Sequence, residues 1–240
     1  GTANLSNEET AKLQFHQGYC LFTMQKFEEA EPLFNAIRQM PSNPNYIDAN
    51  YYYGFIVFYR KDYDAALSSL QIVKDNPSYN KIVPYYIAEI YYFQDQKSKA
   101  LGYAVASINE GGQYYETELK QLAGHIYFEQ GAYGKALPYL EAYITKSAKV
   151  KREDLYELSY CYYQDKQWNK AIEGLKELGG KEDSLAQNSM YLLGDAYLHT
   201  GDKSSARNAF LFCSLNSSNG SQKAISTLND AKLSCELGYQ

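Results

Sequence analysis

Small, large apolar and aromatic positions recur along the chain at fixed offsets from one alanine. That anchor stands at Ala30, Ala66, Ala100, Ala136, Ala171 and Ala206, spaced 36, 34, 36, 35 and 35 residues apart. Twelve residues before each anchor sits a small residue: Gly18, Gly54, Ala88, Gly124, Ser159 and Gly194. Nine before it comes a large one, Leu21, Val57, Tyr91, Tyr127, Tyr162 or Tyr197, and four after it Phe34, Leu70, Ala104, Leu140, Leu175 or Phe210. Glycine in a helix interior costs about 1 kcal/mol relative to alanine. A small side chain kept at all six places therefore predicts close approach by a second helix.

The residues around each anchor supply that helix. Phe27, Ala30, Phe34 and Ile37 are spaced 3, 4 and 3, as are Trp168, Ala171, Leu175 and Leu178, the periodicity of an amphipathic helix. Polar turns such as Lys61-Asp62, Gln130-Gly131 and Thr200-Gly201-Asp202 separate the two helices of a pair. Asn43-Pro44, Asn76-Pro77 and Gly111-Gly112 separate one pair from the next. Ser6 with Glu9 predicts a capping box at the first helix. A period in this range marks a stacked array with one continuous core.

The small residue, the large one three on, the anchor alanine and the large apolar residue beyond it resemble the tetratricopeptide repeat. The resemblance covers six units, about residues 11–44, 47–80, 81–114, 117–150, 152–185 and 187–220, after a lead-in at 1–10. It implies an all-α fold, a right-handed α-α superhelix of helix hairpins. Some positions depart from the family pattern. The bulky residue that opens the first helix is present as Leu155 and Met190, whereas Gln14, Asn50, Pro84 and Lys120 fill that place elsewhere. Lys97, Ala104 and Ser107 predict looser packing in the third unit, and Pro32 and Pro138 predict bends. Residues 221–240 read as a terminal helix, the first half of a truncated seventh unit, with Ala231 at the small position and Gly238 at the turn. On this reading the parent chain continues beyond Gln240. Gly1 is not an initiator methionine, so the N-terminus is read as processed or cut.

The first helices carry a second stripe, well away from the first by helical angle. It runs through Phe15 and Tyr19, Tyr51 and Phe55, Tyr85 and Glu89, Gln121 and His125, Tyr156 and Tyr160, and Tyr191 and Asp195. Its continuation, Phe22, Phe58, Tyr92, Phe128 and Tyr163, is expected to wedge between neighbouring units. In the family this stripe lines a concave groove that holds peptides. The expected groove residues are thus Phe15, Tyr19, Tyr51, Phe55, Tyr85, Glu89, His125, Glu129, Tyr156, Tyr160, Tyr191 and Asp195. Glu89, Glu118, His125, Glu129 and Glu153 would favour a ligand with lysine or arginine, unless they form only a solvated rim. The basic clamp with which some family members hold an acidic chaperone C-terminus is absent, since Phe15, Tyr19, Tyr52, Ile82 and Tyr86 fill its positions.

Composition narrows the function further. A net charge of −5 with no long basic patch argues against nucleic acid. Twenty-six tyrosines, apolar in body and polar at the tip, imply many half-buried surfaces. The longest apolar run, Tyr51 to Tyr59, is far too short to cross a bilayer. His16, His125 and His199 fall in different units, no phosphate loop or nucleophile motif appears, and neither a metal nor a cofactor is implied. Cys20 and Cys161 share a position with Ile56, Ile90 and Ile126 and read as core. The sequence thus predicts a non-catalytic scaffold binding a peptide or protein segment, a basic one on the reading of the acidic groups above. The alternatives are a glycan-binding module using the tyrosines and a structural segment of a larger protein. The resemblance extends to bacterial envelope proteins.

Overall fold

The computed structural model describes residues 6–215 and 219–238. Residues 1–5, 216–218 and 239–240 lie outside the described part, including half of the lead-in and the end of the terminal segment. The described residues form thirteen helices and no strand. They divide into two compact units, residues 1–119 and 120–240. The first unit holds α1 (Asn7–Thr23), α2 (Phe27–Ile37), α3 (Tyr46–Tyr59), α4 (Tyr63–Val73), α5 (Val83–Phe93), α6 (Lys97–Glu110) and the start of α7 (Glu116–Glu129). The second holds the rest of α7, then α8 (Tyr133–Lys146), α9 (Arg152–Gln164), α10 (Trp168–Lys176), α11 (Ser184–Thr200), α12 (Lys203–Leu215) and α13 (Gly220–Leu237).

Ser6 caps α1 as its sequence predicts: its hydroxyl accepts from the Glu9 amide at 3.2 Å, and its own amide donates to Glu9 Oε2 at 3.0 Å. The hairpin turns share one backbone solution. The residue five before each anchor has positive φ: Gln25, Lys61, Asp95, Gly131, Lys166 and Gly201. The next amide reaches back to the carbonyl of the residue nine before the anchor, from Lys26 to Leu21 through to Asp202 to Tyr197, at 2.8–3.0 Å. This left-handed cap satisfies the last carbonyls of the first helix and reverses the chain in a few residues.

Within each hairpin the small position meets the residue four past the anchor. A methyl placed on Gly18 would lie 3.1 Å from the Phe34 ring, on Gly54 or Gly124 2.8 Å from Leu70 or Leu140, and on Gly194 2.7 Å from Phe210. The glycines thus let two helices touch through a large side chain. In the third hairpin, where looser packing is expected, Ala104 and Ser107 are nevertheless buried. There the smaller residue of α6 goes with Ala88, rather than glycine, on α5. Helices α2 and α8 run on through Pro32 and Pro138, both of which are exposed.

One core expectation fails. Cys161 is buried with Ala136 and Leu140 of the preceding hairpin, but Cys20, at the same offset, is exposed. This position packs against the second helix of the preceding pair, and among the described residues no helix precedes α1.

Candidate interaction surface

Each first helix is amphipathic twice over, so only part of its apolar surface can be spent on its own hairpin. In the first unit the second stripe becomes a continuous aromatic cluster. Phe15 is half-buried, with ring centroids 6.0 Å from Phe34 and 6.3 Å from Tyr52. Tyr19 is 45% exposed and meets Tyr52 edge-on at 5.8 Å. Tyr51 is stacked on Tyr79 at 4.2 Å, and burial pushes its hydroxyl pKa up to about 12. Phe55 bridges Phe22 at 5.2 Å and Tyr59 at 4.7 Å. Tyr85 lies 4.7 Å from Tyr115, and its pKa is raised by burial and by the charge of Glu89, itself half-buried. Phe22 and Phe58 fill the seams to the next hairpin, 4.8 Å from Tyr52 and 5.0 Å from Tyr86.

Two well-exposed rings of the first unit are ones that the sequence pattern did not single out. Tyr59 is 60% and Phe93 52% exposed. Both stand seven residues before an anchor, one turn past the predicted stripe, and Phe93 stacks on Tyr63 at 5.1 Å. The same position holds Glu129 and His199 in the second unit, where Trp168 stacks on His199 at 4.1 Å with the rings 2° from parallel. The helical step of four from the predicted stripe was the available signal.

The second unit replaces rings by charge. His125 is held between Glu157, 2.5 Å from its Nδ1, and Glu129, 3.1 Å from its Nε2. Glu129 is exposed. Nearby, buried Asp154 accepts from Gln121 at 3.2 Å and from the Tyr143 hydroxyl at 3.0 Å. Tyr156 and Tyr160 are half-buried; burial raises the pKa of Tyr156 to about 12, and Tyr160 packs against Tyr133 at 5.1 Å. Asp195 accepts from the Tyr163 hydroxyl at 2.6 Å and lies 3.4 Å from His199, while Tyr191 packs on Phe210 at 6.1 Å. Glu157 and Asp154 escaped the sequence reading because the corresponding positions elsewhere are mostly apolar.

Known proteins agree with this architecture. Residues 129–213 match the family model of subunit 3 of the anaphase-promoting complex, the cyclosome. YrrB, described as a TPR protein with an unusual peptide-binding site, superposes with a TM-score of 0.64 at 12% identity, over 81% of this chain and 97% of its own. The fold is that of a tetratricopeptide-repeat array. A tetratricopeptide-repeat protein from Parabacteroides merdae gives a TM-score of 0.56 at 14% identity, over 95% of this chain and 86% of its own. PilW, a type IV pilus biogenesis factor, gives 0.52 at 13%, over 97% and 96%. No curated protein matches the sequence. Among the described residues of this repeat chain, no helix is long and apolar enough to cross a membrane, and no group of three or more histidine, cysteine or acidic residues is arranged to hold a metal.

Proposed function

We propose that this repeat chain is a non-catalytic scaffold that holds a segment of another protein along its first helices. The observation that carries the reading is the exposure of Tyr19, Tyr59 and Phe93 on one side of the first unit, supported by rings already fixed among their neighbours. Anchored aromatic rings offer contact area at little further entropic cost. In the second unit Glu129 and Asp195 give the corresponding positions a negative edge, which favours lysine or arginine in a segment bound to that unit. A solved repeat protein of this fold is described as having a peptide-binding site, which supports the same reading here.

Photo-cross-linking tests it. A benzophenone amino acid is placed at Tyr59 or Gln164, both seven residues before an anchor, or at Ser68 or Glu173 on the second helices. Capture of one protein from the first pair and not from the second is expected. Equal capture from both pairs, or capture only from the second, rules out the first-helix surface.

A further inference from the structure

The third, fourth and fifth hairpins share one arrangement on the seam between their two helices. Nine residues before the anchor stands a tyrosine, Tyr91, Tyr127 or Tyr162, and one before it a lysine whose ammonium lies over that ring. Lys99, Lys135 and Lys170 stand 4.5, 5.9 and 5.4 Å from the three ring centroids. In the third and fourth hairpins the residue three after the anchor adds a second ring: Tyr103 lies 5.9 Å from Tyr91, and Tyr139 stacks on Tyr127 at 5.9 Å. In the fifth that residue is Gly174. The second ring is missing, and a cavity of about 370 Å³ opens there, lined by Leu155, Leu158, Ser159 and Tyr162 of α9 and Gly174 of α10. That volume is within the range of small-molecule sites.

Three features of this cavity bring no return in packing. Glycine inside α10 is a poor helix former, yet a Cβ at residue 174 would collide with Ser159 Oγ. Ser159 stands where the fourth hairpin has Gly124. Its hydroxyl is buried without a hydrogen-bond partner, a state that costs stability. On the rim are Glu173 and Glu177, both exposed, two and six residues after the anchor. The same positions hold Gly102 and Ala106 in the third hairpin, Pro138 and Ala142 in the fourth, and no charged residue in any other. Tyr162 is meanwhile held in place, since its hydroxyl donates to Glu141.

We propose that this cavity binds a small arylalkylamine, a single hydroxylated ring bearing an ammonium group on a short chain. The ring takes the place that Tyr139 fills on Tyr127, against Tyr162, Leu155 and Leu158. Its hydroxyl gives Ser159 Oγ a partner, and the ammonium meets Glu173 and Glu177. Two carboxylates against the one ammonium of Lys170, already engaged over the Tyr162 ring, set the preference for a cation. None of these residues belongs to the surface proposed above to hold a protein segment, so the two readings stand or fall separately.

Tyramine is the probe, titrated into the full chain with isotope-labelled glycine and followed by NMR at the Gly174 amide, one of sixteen glycines. The Gly174 signal should shift saturably with a half-point of about 1 mM. The anion p-hydroxyphenylpropionate, which carries the same ring, should need about tenfold more. Glu173→Gln/Glu177→Gln should remove that preference while leaving the helical circular dichroism intact. Ser159→Gly/Gly174→Tyr rebuilds the Gly124 and Tyr139 pair of the fourth hairpin, fills the cavity with the chain's own ring, and should abolish the calorimetric heat of tyramine binding. A Gly174 signal unmoved by about 20 mM tyramine overturns the proposal. So do equal responses to the two probes, and undiminished binding heat in the filled variant.

Discussion

His125 Nδ1 lies 2.5 Å from Oε1 of Glu157, a buried glutamate where α3, α5, α7 and α11 carry Tyr52, Tyr86, Leu122 and Leu192, and α1 the exposed His16. The second carboxylate oxygen, Oε2, is buried with no hydrogen-bond partner. The imidazole is thus what compensates a charge placed in a core position. His125→Ala should destabilise the fold by about 3 kcal/mol at neutral pH, because it leaves that carboxylate buried and unpaired. Glu157→Leu, which restores the residue type of the neighbouring repeats, should be neutral or stabilising by about 1–2 kcal/mol. Urea titrations of the two variants check the pair, and similar losses in both would contradict it.

The same pair sets a pH dependence. The hydrogen bond that His125 donates to Glu157 raises the pKa of His125 above 6.5, against the opposing effect of burial, and the charges of Glu157 and Glu129 add to it. Burial raises Glu157 above 4.5 despite the imidazole beside it. A raised pKa contributes stability that is complete below the unfolded-state value and is lost as pH rises through the folded-state value. Both groups therefore lose their contribution as pH rises, Glu157 from pH 4.5 upward and His125 from pH 6.5 upward. Between about pH 5 and pH 8, Tm should fall more in the wild type than in His125→Gln/Glu157→Gln. Parallel Tm curves would sink this assignment.

Two helical glycines should respond in opposite ways to alanine. Gly102 in α6 has nothing within 4 Å of an added methyl, so Gly102→Ala should stabilise by about 1 kcal/mol through helix propensity alone. At Gly194 the methyl would lie 2.7 Å from Phe210, which is itself buried. Overpacking of about 1–3 kcal/mol should cancel or exceed the propensity gain there. Thermal melts of both variants distinguish a contact glycine from an incidental one.

The hairpin turns hold unrelieved strain at their non-glycine residues. Lys61 has φ of 68° and Lys166 of 58°, both exposed. A left-handed residue with a Cβ costs about 1–2 kcal/mol, and glycine gives back part of that gain in unfolded-state entropy. Lys166→Gly should therefore stabilise by about 0.5–1 kcal/mol. Glu173→Gly, in the body of α10, should cost about 1 kcal/mol. If both substitutions destabilise alike, the turn conformation is not the one described.

The periodic alanines and small positions were enough to predict helix hairpins, because contact between two helices constrains the residue at the crossing whatever lies around it. The turns were placed by the same spacing, yet their left-handed residue was legible chiefly at Gly131 and Gly201, since Gln25, Lys61 and Lys166 carry no local signal for it and Asp95 only a weak one. Cys20 shows a related gap: its position is apolar core elsewhere, and only the absence of a preceding helix among the described residues exposes it.

The surface chemistry divides in the same way. Sequence spacing determined which residues share a helix face, and so brought Phe15, Tyr19, Tyr51, Phe55, Tyr85 and their counterparts together as one class of position. Only the tertiary structure decided that Tyr51 spends its ring on Tyr79 while Tyr59 and Phe93 keep theirs in solvent. It alone placed His125 against Glu157, 32 residues away. Periodicity reports the direction of a side chain about its own helix. Whether that direction meets solvent, a ring or a charge depends on the helix packed opposite, which no local pattern encodes.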